Sequence, residues 1–236
     1  MIILKNLHKS YGNKVAVNNL NLTINDGEIF GFIGPNGAGK TTTIKMMVGI
    51  LRQDKGEVLI NNIDMLKNPI QAKKLIGYVP DTPDIYEKLT GIQYINFIAD
   101  AYKTPHDVRK KNIERFAEIF ELKDSLGDYI SNYSHGMKQK VVLISTLVHE
   151  PKVWILDEPL VGLDPKAAFE LKNMMREHAN KGNIVFFSTH ILDVAERLCD
   201  RVGIIKNGKV IACGTLDELR SGKDETLENI FMELTE

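Results

Sequence analysis

The sequence predicts an α/β fold built on a mixed, mainly parallel β-sheet. Three short apolar runs, at residues 28–33, 153–156 and 184–187, have the near-continuous hydrophobicity of strands that are buried on both faces. A helix is expected after the first run, from about residue 39 to about residue 50. Buried strands that alternate with helical segments favour an α/β core with parallel strands.

Antiparallel pairing is predicted near both ends of the chain. Residues 20–24 alternate between apolar and polar side chains, as in a half-buried antiparallel strand. Near the C-terminus, Asn207-Gly208 lies between apolar runs at 202–205 and 210–212, which is the strongest short-range signal for a hairpin. We therefore expect an N-terminal antiparallel β subdomain beside the main sheet.

The middle of the chain follows a helical pattern. Ile95, Ile98 and Tyr102 form one apolar stripe at helical spacing, and few strand-like runs interrupt residues 85–148. Two interpretations stay open: the helices form a subdomain inserted into the α/β core, or they cover one face of the sheet. The first interpretation divides a single domain (1–236) into an α/β core at 1–84 and 149–236 and a helical subdomain at 85–148.

Composition limits the class of protein. The chain has 236 residues, of which 43% are hydrophobic and 26% charged, and its formal net charge is −1. This charge gives no overall field that would attract nucleic acid or anionic lipid. No apolar run approaches the ~20 residues of a membrane span. If the protein works at a membrane, another chain must provide the crossing.

A glycine-rich segment follows the first buried strand and precedes the predicted helix. It matches the phosphate-binding P-loop pattern, in which backbone N–H groups and the helix N-terminus surround phosphate oxygens. Lys40 would reach the β and γ phosphates, and the Thr41 hydroxyl would ligate Mg²⁺. The motif indicates an NTPase or a kinase with a P-loop NTPase core. The residues expected at the nucleotide are Gly34, Pro35, Asn36, Gly37, Ala38, Gly39, Lys40, Thr41 and Thr42.

Two carboxylates follow the second buried strand. Asp157 and Glu158 would lie at the carboxyl edge of the sheet, where ligands bind in open α/β folds. Asp157 would hold Mg²⁺ through water, and Glu158 would polarise the attacking water in phosphoryl transfer. Acidic residues after a strand are also common as charges at a helix N-terminus. The catalytic interpretation is favoured by the P-loop upstream.

His190 follows the third buried strand, in the run Ser188-Thr189-His190. A histidine at this edge of the sheet would contact the γ-phosphate and hold the attacking water. A single histidine is more often structural. Its position after a third buried strand favours the catalytic role, beside Glu158 and Lys40.

The order of these motifs resembles that of ATPase subunits of ABC transporters, over essentially the whole chain. By this resemblance Tyr11 stacks on adenine, and residues 161–164 form the loop that couples the two ATP sites of a dimer. Asp157 and Glu158 take the places of the metal-binding aspartate and the catalytic glutamate. His190 takes the place of the histidine that responds to the γ-phosphate.

The segment Tyr133-Ser134-His135-Gly136-Met137 occupies the place of the family signature, which usually reads Leu-Ser-Gly-Gly-Gln. Ser134 would precede a helix that begins at about Gly136, so its hydroxyl and the free N–H groups of the helix could face a phosphate. In the family that phosphate belongs to the opposing subunit. Ser134 and Gly136 are therefore expected to bind ATP across a dimer, although Ser134 could also serve only as a helix cap.

Three positions depart from the family pattern. His135 and Met137 replace the usual glycine and glutamine of the signature, which predicts a working but adapted segment. Asp81 stands where the family usually has a glutamine before the helical segment. A carboxylate at Asp81 still offers oxygen to Mg²⁺. The alternative is that Asp81 caps the turn that follows it.

The resemblance implies a function. The chain would hydrolyse ATP to ADP and phosphate with Mg²⁺, as a head-to-tail pair of ATPase subunits, and power separate integral-membrane permease subunits. It would be cytoplasmic and peripheral on the inner face of the membrane, with no nucleic-acid partner. Residues 227–234 resemble the ending of bacterial export-type, ABC-2-like cassettes, which favours export over import.

Other functions stay open on the sequence. The strongest alternative is a soluble ABC ATPase of a non-transport machine, such as iron–sulfur cluster assembly, because composition does not exclude it. A P-loop kinase would leave the signature-like segment and His190 without a role. An ATP switch without hydrolysis is disfavoured by Glu158.

Overall fold

The structure, a computed structural model, describes residues 1–220 and 225–235. Its strands fall into two sheets, of four and six strands. The strands are β1 Ile2–Tyr11, β2 Lys14–Ile24, β3 Ile29–Ile33, β4 Lys55–Ile60, β5 Ile63–Asp64, β6 Ile76–Val79, β7 Val153–Asp157, β8 Ile184–Thr189, β9 Arg201–Lys206 and β10 Lys209–Gly214.

The helices lie mostly between strands of the larger sheet. They are α1 Lys40–Met47, α2 Pro69–Lys74, α3 Gly91–Ala101, α4 His106–Ile119, α5 His135–Leu147, α6 Pro165–Asn180, α7 Leu192–Leu198, α8 Leu216–Arg220 and α9 Leu227–Thr235. Within residues 1–220 and 225–235, none of these helices is long and apolar enough to cross a bilayer.

The larger sheet has the strand order β10-β9-β3-β8-β7-β6 and is parallel except at β10. Every residue of β3, β7 and β8 is buried, because helices pack on this part of the sheet. This confirms the predicted fold class and the three buried strands. The carboxyl ends of β3, β7 and β8 lie at one edge, so the residues that follow these strands meet there.

The smaller sheet is antiparallel in the order β2-β1-β4-β5. Leu20, Leu22 and Ile24 of β2 are buried and alternate with exposed residues, as the sequence predicts. The C-terminal hairpin is present as β9 and β10, joined at Asn207 and Gly208, which both have positive φ. The predicted antiparallel subdomain is therefore confirmed.

The helix after β3 is shorter than predicted. It ends at Met47 and not near Ile50, because Gly49 adopts φ +67° and the chain turns there. The N–H of Gly49 donates to the carbonyl of Met46, and the N–H of Ile50 donates to that of Lys45. A glycine in the left-handed conformation after the last turn is a common helix stop, and the apolar pattern alone does not reveal it.

Helices α3, α4 and α5 lie between β6 and β7, which are adjacent strands of the larger sheet. Helices α3 and α4 pack on α5, and α5 packs on β6. The segment is thus an insertion between neighbouring strands whose last helix also covers the sheet. Phe116 and Phe120 of this segment share one buried cluster with Trp154 of β7. The boundaries at residues 85 and 148 stay predictions.

Candidate nucleotide-binding site

The P-loop lies between β3 and α1 at the carboxyl edge of the sheet. Gly39 is the last residue before the helix and has φ +112°, and a Cβ there would collide with the carbonyl of Ala16. A side chain is therefore excluded at Gly39 by both backbone conformation and space. The free N–H groups of the first turn of α1 remain available to a phosphate.

Lys40 is held inside the loop. Its ammonium donates to the carbonyl of Gly34 at 2.7 Å and to that of Pro35 at 3.4 Å, and it lies 3.7 Å from Oε1 of Glu158. The side chain is only 7% exposed. The cation therefore already lies at the point where a phosphate would enter, between the loop and the acidic edge.

Asp157 ends β7 and is almost completely buried. Its Oδ1 accepts a 2.6 Å hydrogen bond from the hydroxyl of Ser188, and that hydroxyl in turn accepts one from the N–H of Glu158 at 3.0 Å. Among the described residues, Oδ2 of Asp157 has no hydrogen-bond partner. Burial raises the pKa of the Asp157 carboxyl above its ordinary value, although the hydrogen bond from Ser188 and the nearby Thr41 hydroxyl oppose the change.

Glu158 and His190 form a pair at the same edge. Oε2 of Glu158 lies 2.9 Å from Nδ1 of His190 and also accepts from the His190 N–H at 3.3 Å. The Glu158 side chain is 13% exposed and the His190 side chain 56% exposed. Glu158 has φ +49°, a conformation that costs free energy in a residue with a side chain and that clusters at functional sites.

Lys40 and Glu158 line one cleft of about 290 Å³. Asp157 and His190 are not among its lining residues but adjoin Glu158, and the predicted residues Gly34 and Ala38 do not line it either. Tyr11 stands at its rim with half of its surface exposed, and the ammonium of Lys9 lies 5.8 Å from the ring centroid. Lys14 and Ala16 also line the cleft, although no motif in the sequence indicated them. The predicted residues that line it are Tyr11, Pro35, Asn36, Gly37, Gly39, Lys40, Thr41, Thr42, Asp81 and Glu158.

Asp81 lines this cleft from the segment that follows β6. Its charge is close enough to contribute to raising the pKa of Asp157, after the larger effect of burial. Its carboxylate accepts no hydrogen bond from the residues that the structure describes, so the cap expected in the alternative interpretation is not formed there. The role of Asp81 at the metal stays a prediction.

Ser134 and Gly136 do not line the cleft. Ser134 is the N-cap of α5, and its hydroxyl accepts from the N–H of Met137 at 3.3 Å. Ser134 and His135 are both exposed. The signature-like segment therefore forms a second, separate surface, and its contact with ATP stays a prediction.

Contacts between α5 and the residues after Glu158 were not foreseen from the sequence. The ring of His135 packs directly on Gly162, and the ammonium of Lys140 lies 2.7 Å from a carboxylate oxygen of Asp164. Ser188 was also missed as a residue that links Asp157 to Glu158, although its place just before His190 could have indicated it.

Comparison with known proteins agrees with this geometry. A family model described as ABC transporter matches residues 17–161. This chain belongs to the ABC transporter family of ATP-binding subunits. The matched range includes the P-loop, the signature-like segment and the two carboxylates at the end of β7, so this ABC transporter match covers the core of the site.

Two curated ABC transporter relatives come from Bacillus subtilis. The ABC-type transporter ATP-binding protein EcsA is 36% identical over 238 residues, which covers 100% of this chain and 96% of the relative. The linearmycin resistance ATP-binding protein LnrL is 34% identical over 230 residues, which covers 97% of this chain and 74% of the relative.

Solved structures of ABC transporter subunits agree with the fold. An ATP binding subunit of an ABC transporter superposes with a TM-score of 0.96 at 34% identity, covering all of both chains. The ATP-binding cassette MJ0796, solved as a dimer in a post-hydrolysis state with ADP and phosphate, gives a TM-score of 0.83 at 25% identity, covering 92% of this chain and 99% of that one. The recognised family and the predicted fold class are confirmed.

Proposed function

We propose that this chain hydrolyses ATP to ADP and phosphate and is the motor subunit of an ABC transporter. One observation carries the proposal: Glu158 lines the same cleft as the P-loop, is linked to the buried Asp157 through Ser188, and pairs with His190. Phosphoryl transfer to water requires three groups: a cation that meets the phosphates, an oxygen that binds the metal, and a base that accepts a proton from water.

ATP would enter along the P-loop. The N–H groups of the loop and of the first turn of α1 would donate to the phosphates, and Lys40 would exchange its contacts with the carbonyls of Gly34 and Pro35 for the β and γ phosphates. Tyr11, which is half exposed at the rim of the cleft, would stack on adenine.

Glu158 and His190 would act on the water. Glu158 would accept a proton from the water while the water oxygen bonds to the γ-phosphorus and the bond from that phosphorus to the β–γ bridging oxygen breaks. The electron pair of the broken bond leaves with ADP. His190, 2.9 Å from Oε2 of Glu158, would hold the water between itself and the γ-phosphate.

The residues present fit a Mg²⁺ ion. Oδ2 of Asp157 is buried without a partner within the described part of the chain, and such an oxygen is costly unless a cation or an ordered water meets it. Thr41, Asp157 and Asp81 would hold the ion together with the phosphates and water, since Mg²⁺ takes oxygen ligands. When bound, the ion would neutralise charge on the phosphates.

A second copy or a related subunit would complete the site. Ser134 and Gly136 lie at the exposed start of α5, outside the cleft of their own chain. A head-to-tail pair would bring them to the γ-phosphate held by the other subunit. The dimeric arrangement of the ADP-bound MJ0796 cassette supports this proposal.

The transport role rests on the family and on the names of the relatives. We propose that the chain acts on the cytoplasmic face of the membrane through separate permease subunits. The resistance role in the name of LnrL supports export. The segment 227–234, whose sequence resembles the ending of export-type cassettes, forms most of helix α9. The relatives' names favour transport over iron–sulfur cluster assembly.

The Glu158→Gln variant tests the proposal. It keeps the shape of the side chain and removes the proton acceptor. We expect ATP binding to be retained and the rate of ATP hydrolysis to fall by roughly 10²–10⁴-fold. Phosphate release and nucleotide affinity are measured on both proteins. Turnover near the wild-type rate would exclude Glu158 as the base.

A further inference from the structure

Helix α5 packs against the loop that carries the proposed base. We call residues 158–164 the catalytic loop; it begins at Glu158 and ends at Asp164. A Cβ added to Gly136 would lie 2.9 Å from the carbonyl oxygen of Gly162, so this carbonyl meets the first turn of the helix. One turn later, Lys140 pairs with Asp164 at 2.7 Å. Two contacts therefore join α5 to the loop.

Gln139 lies between these two contacts and is fully buried, with 0% of its surface exposed. Neither its Nε2 nor its Oε1 has a hydrogen-bond partner among the described residues. An amide has two donors and a carbonyl acceptor, and burying them unpaired is unfavourable. Most buried polar groups have a partner, so a fully buried and unpaired glutamine requires an explanation.

The helical repeat places Gln139 on the side of α5 that meets the catalytic loop. Residues three and four apart lie on the same face of a helix. Gln139 is three residues after Gly136, and Lys140 is four residues after it, so all three share this face. The carbonyl of Gly162, which already meets Gly136, is an acceptor of the kind that the Gln139 amide lacks.

We propose that Gln139 is a positioning residue, which hydrogen-bonds the backbone of the catalytic loop when ATP is bound and thereby holds Glu158 in place for hydrolysis. The inference rests on the proposed ATPase function and adds a role for a residue outside the cleft. A buried amide without a partner is disfavoured relative to one that the backbone of the loop meets. Pairing of Gln139 would therefore contribute part of the free energy that orders the loop on ATP binding.

This role makes an unusual prediction for the Gln139→Met variant. Methionine has a similar length and volume but no polar groups to leave unpaired. We expect the Tm of the nucleotide-free protein to stay equal or rise, by up to about 8 °C, because an unsatisfied buried amide is removed. We expect kcat for ATP hydrolysis to fall about 10–100-fold, because Glu158 is less well positioned. The Kd for ATP should rise by no more than about tenfold, because one hydrogen bond formed on ATP binding is lost while the P-loop contacts stay.

Thr104→Val is the matched control. Oγ1 of Thr104 is also buried without a partner in the described part of the chain, but it lies between α3 and α4, away from the catalytic loop. This variant should likewise keep or raise the Tm, with kcat unchanged. Gln139→Leu is measured in parallel as a second apolar variant, so that a packing defect specific to methionine does not determine the result.

Hydrogen exchange gives a second readout that a purely structural role would not move. In the Glu158→Gln background, ATP should slow exchange of the backbone amides at residues 160–163, and Gln139→Met should remove this protection while Thr104→Val keeps it. Normal kcat or normal protection in both Gln139 variants would overturn the inference. So would a fall in Tm in both, because the amide would then be satisfied without ATP. A wild-type chain that does not hydrolyse ATP would overturn the proposed function itself, and this inference with it.

Discussion

The cleft and the signature-like segment differ in how their functional groups are held. At and beside the cleft, Lys40, Glu158 and Asp157 are mostly buried, and each contacts other groups of the site. In the signature-like segment, Ser134 is exposed, and its hydroxyl serves only the first turn of its own helix among the described contacts. One region is assembled within the chain, and the other presents its groups outward.

This difference indicates how the work is divided. A buried cation and buried carboxylates can be arranged only by the helix and the strand that carry them, so this half of the site folds with the sheet and α1. A helix N-terminus that faces outward can bind a phosphate only when another molecule brings one. The cleft should therefore bind nucleotide in a single chain, and hydrolysis should require two.

The largest effect is expected from removing the cation of the cleft. Lys40→Ala should weaken ATP binding itself, because the charge that meets the β and γ phosphates is lost. At a thousandfold excess of ATP over Kd, the wild-type chain should gain about 4 kcal/mol of stability from binding, and the variant should gain far less. Thermal unfolding with and without ATP measures this. An equal shift in both proteins would remove Lys40 from the phosphate site.

Mixing two inactive variants tests directly whether the site is shared between the cleft of one chain and the signature-like segment of another. Lys40→Ala damages the cleft and Ser134→Arg blocks the exposed segment, so each should be nearly inactive alone. In a mixed head-to-tail dimer one site joins an intact cleft to an intact segment, and an equal mixture should recover about a quarter of wild-type ATPase activity. An unrecovered mixture, with dimers shown to exchange, would contradict the shared site. Mixing either variant with itself is the control.

The same contrast explains what the sequence could predict. Local patterns sufficed for the cleft: the glycines around Lys40 lie between a buried strand and a helix, and Asp157 and His190 each follow a buried strand. Two features could not be predicted from the sequence: the packing of His135 on Gly162, and the absence of a hydrogen-bond partner for Gln139 among the described residues. Both depend on how α5 docks on a distant loop, and His135 and Gly162 are more than 20 residues apart. Contacts between distant segments produce no periodicity in the sequence.

A smaller effect is expected at Asp81, which lines the cleft without a hydrogen bond from the described residues. Its carboxylate would attract Mg²⁺ and repel the γ-phosphate when the metal is absent. Asp81→Gln should raise the Mg²⁺ concentration for half-maximal ATPase activity by about threefold to tenfold, on the scale of one weakened charge contact. ATP binding in EDTA should be equal or tighter. Superimposable curves would leave Asp81 with a structural role.

The two regions are joined where the helical segment meets β6. The rings of Tyr102, after α3, and His149, after α5, stack with centroids 3.6 Å apart. The Tyr102 hydroxyl donates to the carbonyl of Ile76 at 3.0 Å, and Nε2 of His149 lies 3.3 Å from the same oxygen. Ile76 begins the strand that leads to Asp81. This joint therefore fixes the helical segment to the strand that enters the cleft.

The smallest effect concerns the pH dependence of this joint. Burial lowers the pKa of His149 from 6.5 to about 4, so the folded chain holds the ring neutral where the unfolded chain protonates it. The contribution of His149 to the free energy of unfolding is at its full value above pH 6.5. It is lost as the pH falls towards 4, at up to about 1.4 kcal/mol per pH unit. His149→Gln keeps a donor for the Ile76 carbonyl and removes the titration. We expect its free energy of unfolding, measured by urea titration from pH 7 to pH 4.5, to fall less steeply than that of the wild type.

His178, whose pKa burial also lowers to about 4, titrates in both proteins and cancels in the difference. Parallel curves would show that His149 has the same pKa in the folded and unfolded chains, and the joint would then not depend on a neutral ring.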